Sequence, residues 1–336
     1  MTSTLPTTTL GTGGPTVGVQ GLGCMGMSEF YGPTDETEAR ATLEHALDLG
    51  VTLFDTADMY GAGANEEFLS PFVRAHRDEI VLATKFAIER GDHVPGGRRI
   101  RNDPAYIRQA VDASLRRLGV DVIDLYYMHR HDPAIPMAES VGAMAELVRA
   151  GKVRYLGLSE VTGAQLRAAY EVHPIAALQS EWSVFSRDIE SSAVPAAAEL
   201  GVALVAYSPL GRGFLTGSFS DAAQLGEGDF RLGQPRMTGE NAAHNAGLVE
   251  VVRKVAEQAG VTPAQVALAW VHQRAQVHGL PVVPIPGTRK RSRLDENTAA
   301  AGLRLTEDQL AALEPLAAEV RGSRYADMNR VSSDEE

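Results

Sequence analysis

At 336 residues the chain is long enough for two domains or for one large α/β barrel, and 44% hydrophobic with 22% charged residues fits a globular protein rather than a disordered one. Its 31 basic against 43 acidic residues give a net charge of −12, which argues against a nucleic-acid or anionic-membrane partner. A single cysteine, Cys24, excludes an intrachain disulfide and a cysteine-based zinc site. Met1 to Thr9 lack the basic and apolar segments of a signal peptide, and no run reaches the ~20 apolar residues of a membrane span, so a soluble, cytoplasmic protein is expected.

In chain order, short apolar runs alternate with amphipathic stretches. Residues 1–8 read as irregular, Thr9–Thr16 as a hairpin turn, and Val17–Leu22 as a first strand. Gly21, Gly23 and Gly26 match the G-x-G-x-x-G dinucleotide fingerprint, but that fingerprint opens directly into a helix, and here Gly32 and Pro33 block one. The motif is instead read as a flexible loop above the first strand, its glycines admitting a ligand close to the backbone. Asp35 and Glu38 form a capping box for a helix that Gly50 stops.

Seven further runs continue the pattern: Val51–Asp55, Ile80–Lys85, Val122–His129, Val153–Ser159, Ala176–Gln179, Val202–Tyr207 and Leu280–Ile285. Asp103 and Pro104 cap a helix that carries Ile107, Val111, Leu115 and Leu118 on one face and stops at Gly119. Another runs from about Ala138 to Ala150 and ends at Gly151. Phe214–Gly239 reads as an inserted loop, the residues after Leu305 as a C-terminal helix, and 326–336 as an acidic tail. About eight strands alternating with helices, with no break in composition, predict an α/β chain folded as one (β/α)8 TIM barrel domain over 1–336.

In such a barrel the active site lies where strands end. Asp55, Lys85 and His129 fall at the ends of three successive strands, which sit ~4.8 Å apart, so they are expected side by side at the barrel mouth. Alone, each has a plain alternative: a turn-forming Asp, a solvated Lys, a core His. Together they suit proton transfer. A carboxylate holds the ammonium, and the ammonium favours ionisation of a nearby phenol, for which Tyr60, five residues past Asp55, is placed. His129 and His131 could ligate a metal, but Arg130 and Lys85 would repel a cation, so no metal site is expected and His131 is placed at the substrate rim.

The segments Phe54–Gly61, Ala83–Phe86 and Leu125–His129 resemble, in order, the Asp, Tyr, Lys and His motifs of the aldo-keto reductase superfamily, and the likeness runs from about Thr9 to Leu316. The resemblance implies NADP(H) bound extended across the barrel mouth without a Rossmann domain. It implies Tyr60 as general acid, Lys85 as its tuner, Asp55 as the partner of Lys85, and His129 as guide of the substrate carbonyl. Ser159 and Gln179 resemble the carboxamide ligands, with Glu160 standing where many members have Asn. Tyr207 resembles the tyrosine stacked on nicotinamide, and Ser208, Leu210, Gly211, Arg212 and Gly213 the pyrophosphate loop, with Gly23 across the mouth. Gly287, Thr288, Arg289, Arg293, Glu296 and Asn297 match the adenosine 2′-phosphate region; Gly287 replaces a lysine found in some members, and Arg289 or Lys290 could supply that charge. The pocket wall is expected from Phe30, Tyr31, His131, Trp182 and the Phe214–Gly239 stretch, which suits an aldehyde or ketone of apolar or aromatic character. The alternative is a cofactor-binding sensor subunit of the same fold with slow turnover; a metal-dependent hydrolase barrel is a third reading.

Overall fold

The computed structural model describes residues 4–91, 94, 97–328 and 331; parts of the expected irregular N-terminus and acidic tail lie outside these. A hairpin of β1 (Thr7–Thr9) and β2 (Thr16–Gly18) opens the chain. The barrel strands follow: β3 (Leu22–Gly23), β4 (Leu53–Asp55) and β5 (Val81–Phe86). A second hairpin, β6 (Ile88–Arg90) with β7 (Arg98–Ile100), rises from the loop after β5. The barrel resumes with β8 (Ile123–Met128), β9 (Val153–Ser159), β10 (Ala177–Glu181), β11 (Ala203–Tyr207) and β12 (Val282–Pro284). These form one 8-stranded sheet in which every neighbouring pair is parallel.

The helices α1 (Glu36–Asp48), α2 (Ala64–Ala75), α3 (Pro104–Leu118), α4 (Met137–Arg149), α5 (Gly163–Tyr170) and α6 (Ala193–Leu200) alternate with the strands. After β11 come α7 (Gly239–Ala259) and α8 (Pro263–His278), then α9 (Arg291–Ala299), α10 (Glu307–Leu313) and α11 (Leu316–Glu319) after β12. This is the TIM-barrel-like α/β architecture that the alternation predicts. Among the described residues no helix is long and apolar enough to cross a membrane.

Local chemistry sets the boundaries. The Asp103 side chain accepts from Tyr106 N with Pro104 in the first turn, and Gly119 ends α3 with φ +69°. Asp35 caps α1 by accepting from Thr37 N and Glu38 N, but the box is not closed: the Glu38 carboxylate turns instead to Arg291 at 3.0 Å. A charge-assisted bond to a guanidinium is stronger than one to a backbone amide. The expected first strand also divides. Thr16–Gly18 pairs with the N-terminal hairpin, and only Leu22–Gly23 joins the barrel. Leu10 and Val17 of the hairpin region pack with Leu53, Ala177, Ala203 and Val283, closing the N-terminal end of the barrel interior. Phe214–Gly239 is built of short 3-10 turns, and the chain after Leu305 makes two short helices rather than one.

The seam between the first and last strands is a close backbone approach. Gly21 N donates to Pro284 O at 3.0 Å, and Gly23 bridges Gly287 in parallel. A Cβ on Gly21 would lie 2.9 Å from Leu53 O, and one on Gly23 2.9 Å from Ile285 O. Two of the three glycines expected to let a ligand approach, Gly21 and Gly23, meet the barrel's own backbone. We predict that Gly23→Ala costs about 1–3 kcal/mol through overpacking. Gly142→Ala, inside α4 with no neighbour within 4 Å, should be neutral or stabilising. Urea unfolding of both variants checks this; equal stability of the two would refute the seam argument.

Candidate active site

Strand register brings the first three residues together. Asp55 pairs with Ala83, so Lys85, two residues on, projects from the same face one pleat higher. Lys85 in turn pairs with Tyr127 on β8, two residues before His129. Lys85 is fully buried, and its Nζ donates to Asp55 Oδ1 at 2.5 Å, Thr56 O at 2.8 Å and Tyr60 OH at 3.2 Å. Those three acceptors match the three protons of an ammonium. The other Asp55 oxygen accepts from Gln179 Nε2 at 2.8 Å. The His129 ring meets Tyr60 edge-on at 5.9 Å, and its Nδ1 is buried with no hydrogen-bond partner among the described residues.

The electrostatics differ in one respect from the sequence expectation. Burial pushes the Tyr60 phenol above its ordinary 10.0, aided by Asp55, and the opposing pull of Lys85 and Arg130 does not overcome it. Tyr60 is therefore a protonated phenol at neutral pH. Burial also works against the Lys85 charge, but Asp55 and Tyr60 hold its pKa above 10.5. Burial, with Arg130 and Lys85 nearby, drives His129 well below 6.5, so its imidazole is neutral.

Two residues that hold Tyr60 in place are absent from the sequence expectation. Glu29 Oε2 accepts from Gly61 N at 2.7 Å, and Arg90 grips both Glu29 oxygens at 2.8 Å while also donating to Met59 O at 2.8 Å. Gly61 and Ala62 in the same turn have φ of 58° and 54°, in the left-handed region, and Ala62 N donates to Met59 O at 3.2 Å. Phe30 lies edge-on to Tyr60 at 6.4 Å and to Phe230 at 5.3 Å, making an apolar wall.

On the far side of the mouth, Ser159 at the end of β9 pairs in register with Gln179 in the middle of β10. Ser159 is buried and its Oγ accepts from Arg130 Nη1 at 3.3 Å. After Tyr207 the backbone enters left-handed conformations at Ser208, Gly211, Arg212 and Gly213 (φ 50°, 54°, 56° and 90°), flanking Leu210. Arg212 donates to Tyr31 OH at 3.3 Å and to Tyr325 OH at 2.6 Å, and Tyr325 OH lies 3.1 Å from Tyr207 OH. The C-terminal segment thus folds across this group. It is anchored by Arg324, which bonds both Glu160 oxygens at 3.2 Å and Asp188 at 2.9 Å. Glu160 serves that anchor.

The stretch after β12 splits. Arg289 is spent on structure, donating to Gly26 O, Gly32 O, Thr34 Oγ1 and Tyr31 O at 2.7–3.1 Å. Thr288 Oγ1 accepts from Lys290 N, and Gly287 lies on the seam. Arg293 and Lys290 are exposed, Glu296 is half-buried with its carbonyl accepting from Gln265, and Asn297 is buried.

Of the expected substrate-wall residues, Trp182 sits in the core and His131 is held by its own loop. Trp182 is fully buried; its Nε1 donates to Glu190 at 2.9 Å and its ring packs on His278 at 5.4 Å. An acceptor eight residues away gives the indole a core position. His131 has both ring nitrogens engaged, one 3.0 Å from Ile135 O and the other 3.3 Å from Gln165 Nε2, which ties its loop to α5. Tyr31 remains at the mouth between Arg212 and Arg231.

The arrangement combines a protonated phenol on a fixed ammonium, a neutral imidazole beside it and an apolar wall above, a set suited to giving a proton to a carbonyl oxygen. Residues 21–318 match the Aldo/keto reductase family. The structure is similar to a glycerol dehydrogenase from Gluconobacter oxydans, 28% identical over 94% of this chain and 95% of that one, with a TM-score of 0.81. It is also similar to an aldo-keto reductase from Bacillus halodurans in its holo form, 26% identical over 96% and 99% of the two chains, TM-score 0.75. A thermostable aldo-keto reductase in complex with the inhibitor epalrestat is 27% identical over 93% and 100%, TM-score 0.71.

Removing one member of a buried ion pair strands the other. Lys85→Met is expected to cost about 3–5 kcal/mol at neutral pH, and adding Asp55→Leu should recover part of that loss. Because the folded pKa of Lys85 lies above 10.5, its stabilising contribution is complete below that pH and is lost as pH rises through the folded value. Denaturant unfolding across an alkaline series should show a decline that Lys85→Met lacks in part. A single variant as stable as the parent would refute the coupling.

Proposed function

The chain belongs to the aldo/keto reductase family and is an oxidoreductase of carbonyl and alcohol groups, and we propose that it reduces aldehydes or ketones with NADPH, Tyr60 giving the proton. The observation that carries this reading is the contact of Tyr60 OH with a lysine that is itself locked to a buried carboxylate. The proposed setting is the cytoplasm, with a small-molecule substrate.

The residues present fit a nicotinamide dinucleotide. Ser159 offers a hydroxyl for a carboxamide, the turn from Ser208 to Gly213 offers the Arg212 cation for a pyrophosphate, with the Gly211 and Gly213 amides closing the turn itself, and Tyr207 offers a ring face between them. Gln179 is committed through its amide to Asp55, which leaves its oxygen for a ligand. Arg293, exposed on α9, with Lys290, gives the 2′-phosphate preference, since Arg289 is occupied. When bound, the cofactor supplies the hydride.

The chain supplies the rest. Tyr60 donates its proton to the carbonyl oxygen, and the phenolate left behind is stabilised by Lys85. Neutral His129, with Nδ1 unpartnered, is free to donate from Nε2 and aim that oxygen at Tyr60. Phe30 and Phe230 exclude water.

Tyr60→Phe should retain NADPH binding and lose on the order of 10²–10⁴ in kcat over a panel of aldehydes followed by NADPH absorbance. Near-parent turnover in that variant would sink the role of Tyr60, and a parent protein that binds NADPH without turnover would favour the sensor alternative. Because the phenol stays protonated past 10.0 and His129 titrates below 6.5, the parent's kcat should be level from pH 7 to 9. Arg293→Ala should raise the KM for NADPH about tenfold and spare that for NADH. Equal effects on both cofactors would remove the 2′-phosphate assignment.

A further inference from the structure

Arg130 has no part in the scheme above, yet it stands at the centre of the mouth. It follows His129 at the end of β8 and is half-buried. Its Nη1 donates to His129 O at 2.6 Å and to Ser159 Oγ at 3.3 Å. Its Nε and Nη2 make no hydrogen bond to any described residue, and no described carboxylate forms an ion pair with it. The groups whose fields reach it are the phenols of Tyr207, Tyr325 and Tyr60 and the carboxylate of Glu160. Both oxygens of Glu160 are already held by Arg324, and Asp55 is held by Lys85 and Gln179. The guanidinium's charge is favoured only at a distance, by Glu160, and its second edge stays open at the half-exposed mouth, where a paired, charge-assisted bond to an anionic ligand fits.

The free edge is the informative part. Nε and Nη2 lie parallel on one side of a guanidinium and match the two oxygens of a carboxylate. The dinucleotide does not bring an anion here: its phosphates are assigned to Arg212 and Arg293, whereas Arg130 touches Ser159, at the nicotinamide end. We propose that Arg130 binds a carboxylate on the substrate, so that the physiological substrate is an oxo acid whose reducible carbonyl sits within reach of Tyr60. This rests on Tyr60 as the proton donor. Phe30 and Phe230 then pack on the carbon skeleton between the two polar ends.

The test uses two acid–ester pairs, 4-formylbenzoate with its methyl ester and 4-oxobutanoate with its methyl ester, assayed with NADPH. The pairs keep the aldehyde and differ in charge. The parent enzyme should prefer the acid by tenfold or more in kcat/KM in at least one pair, and Arg130→Met should reduce that ratio at least tenfold, mainly through KM. Arg130→Lys, which keeps the charge but loses the paired edge, should retain part of the preference and controls for misfolding. The NADPH dissociation constant, measured by fluorescence titration, is read alongside. No acid preference in either pair overturns the proposal, as does a ratio that Arg130→Met leaves untouched. A loss in NADPH affinity that accounts for the whole effect also overturns it and assigns Arg130 to the cofactor. Failure of the parent to reduce any carbonyl overturns the reading of Tyr60 itself, a result distinct from turnover without acid preference.

Discussion

A lysine ammonium with no exposed surface is the constraint around which this barrel is arranged. Taking such a charge out of water costs several kcal/mol before any partner is counted. Lys85 offsets that cost by placing all three of its protons on acceptors from Asp55, Thr56 and Tyr60. Asp55 must in turn be satisfied on its second oxygen, which recruits Gln179 from the opposite side of the barrel. The same chain of requirements fixes the phenol, because Tyr60 is one of the three acceptors and its loop is clamped by Glu29 and Arg90. The positions of the groups at the mouth thus follow from one buried charge, while burial, against the pull of Lys85, keeps the phenol protonated.

The loops above the strands are held by arginines, although the chain as a whole carries a charge of −12. Arg289 collects four oxygens of the Gly26–Thr34 loop, Arg324 secures the C-terminal segment to the ends of β9 and β10, and Arg90 does the same beside Tyr60. Planar, multiply donating guanidinium groups suit this task, since one side chain can satisfy several carbonyls that have no partner in a sheet or helix. Arg130 stands out against that pattern because three of its five N–H donors meet no described residue.

The strand ends bearing Asp55, Lys85 and His129 were legible in the sequence because apolar runs and their polar terminators are local signals. So was the cap at Asp103, whose partner lies three residues away. What escaped was nonlocal. Glu29 meets Arg90 61 positions on, and Glu160 meets Arg324 164 positions on. No local pattern announces such pairs. Glu38 illustrates the competition directly: its spacing from Asp35 favours a capping box, but an arginine 253 positions away offers a better bond. Trp182 shows the converse error, an aromatic after a strand read as a wall although Glu190 draws the indole inward. The division of the first strand escaped for a related reason, since Val17 is apolar to close the barrel floor rather than to form its side.

The glycine seam has a consequence for how the protein is made. β3 leaves the ribosome well before its partner β12, so a growing sheet has an open edge for the ten seconds or more, by order of magnitude, that synthesis of the intervening chain takes. An unpaired edge in a nascent chain invites pairing with other chains. Two residues are a short edge to leave waiting, and Gly21 and Gly23 carry no side chains that the arriving strand must displace. The seam's brevity, unhelpful for strength, keeps the half-built barrel from finding the wrong partner before its own last strand arrives.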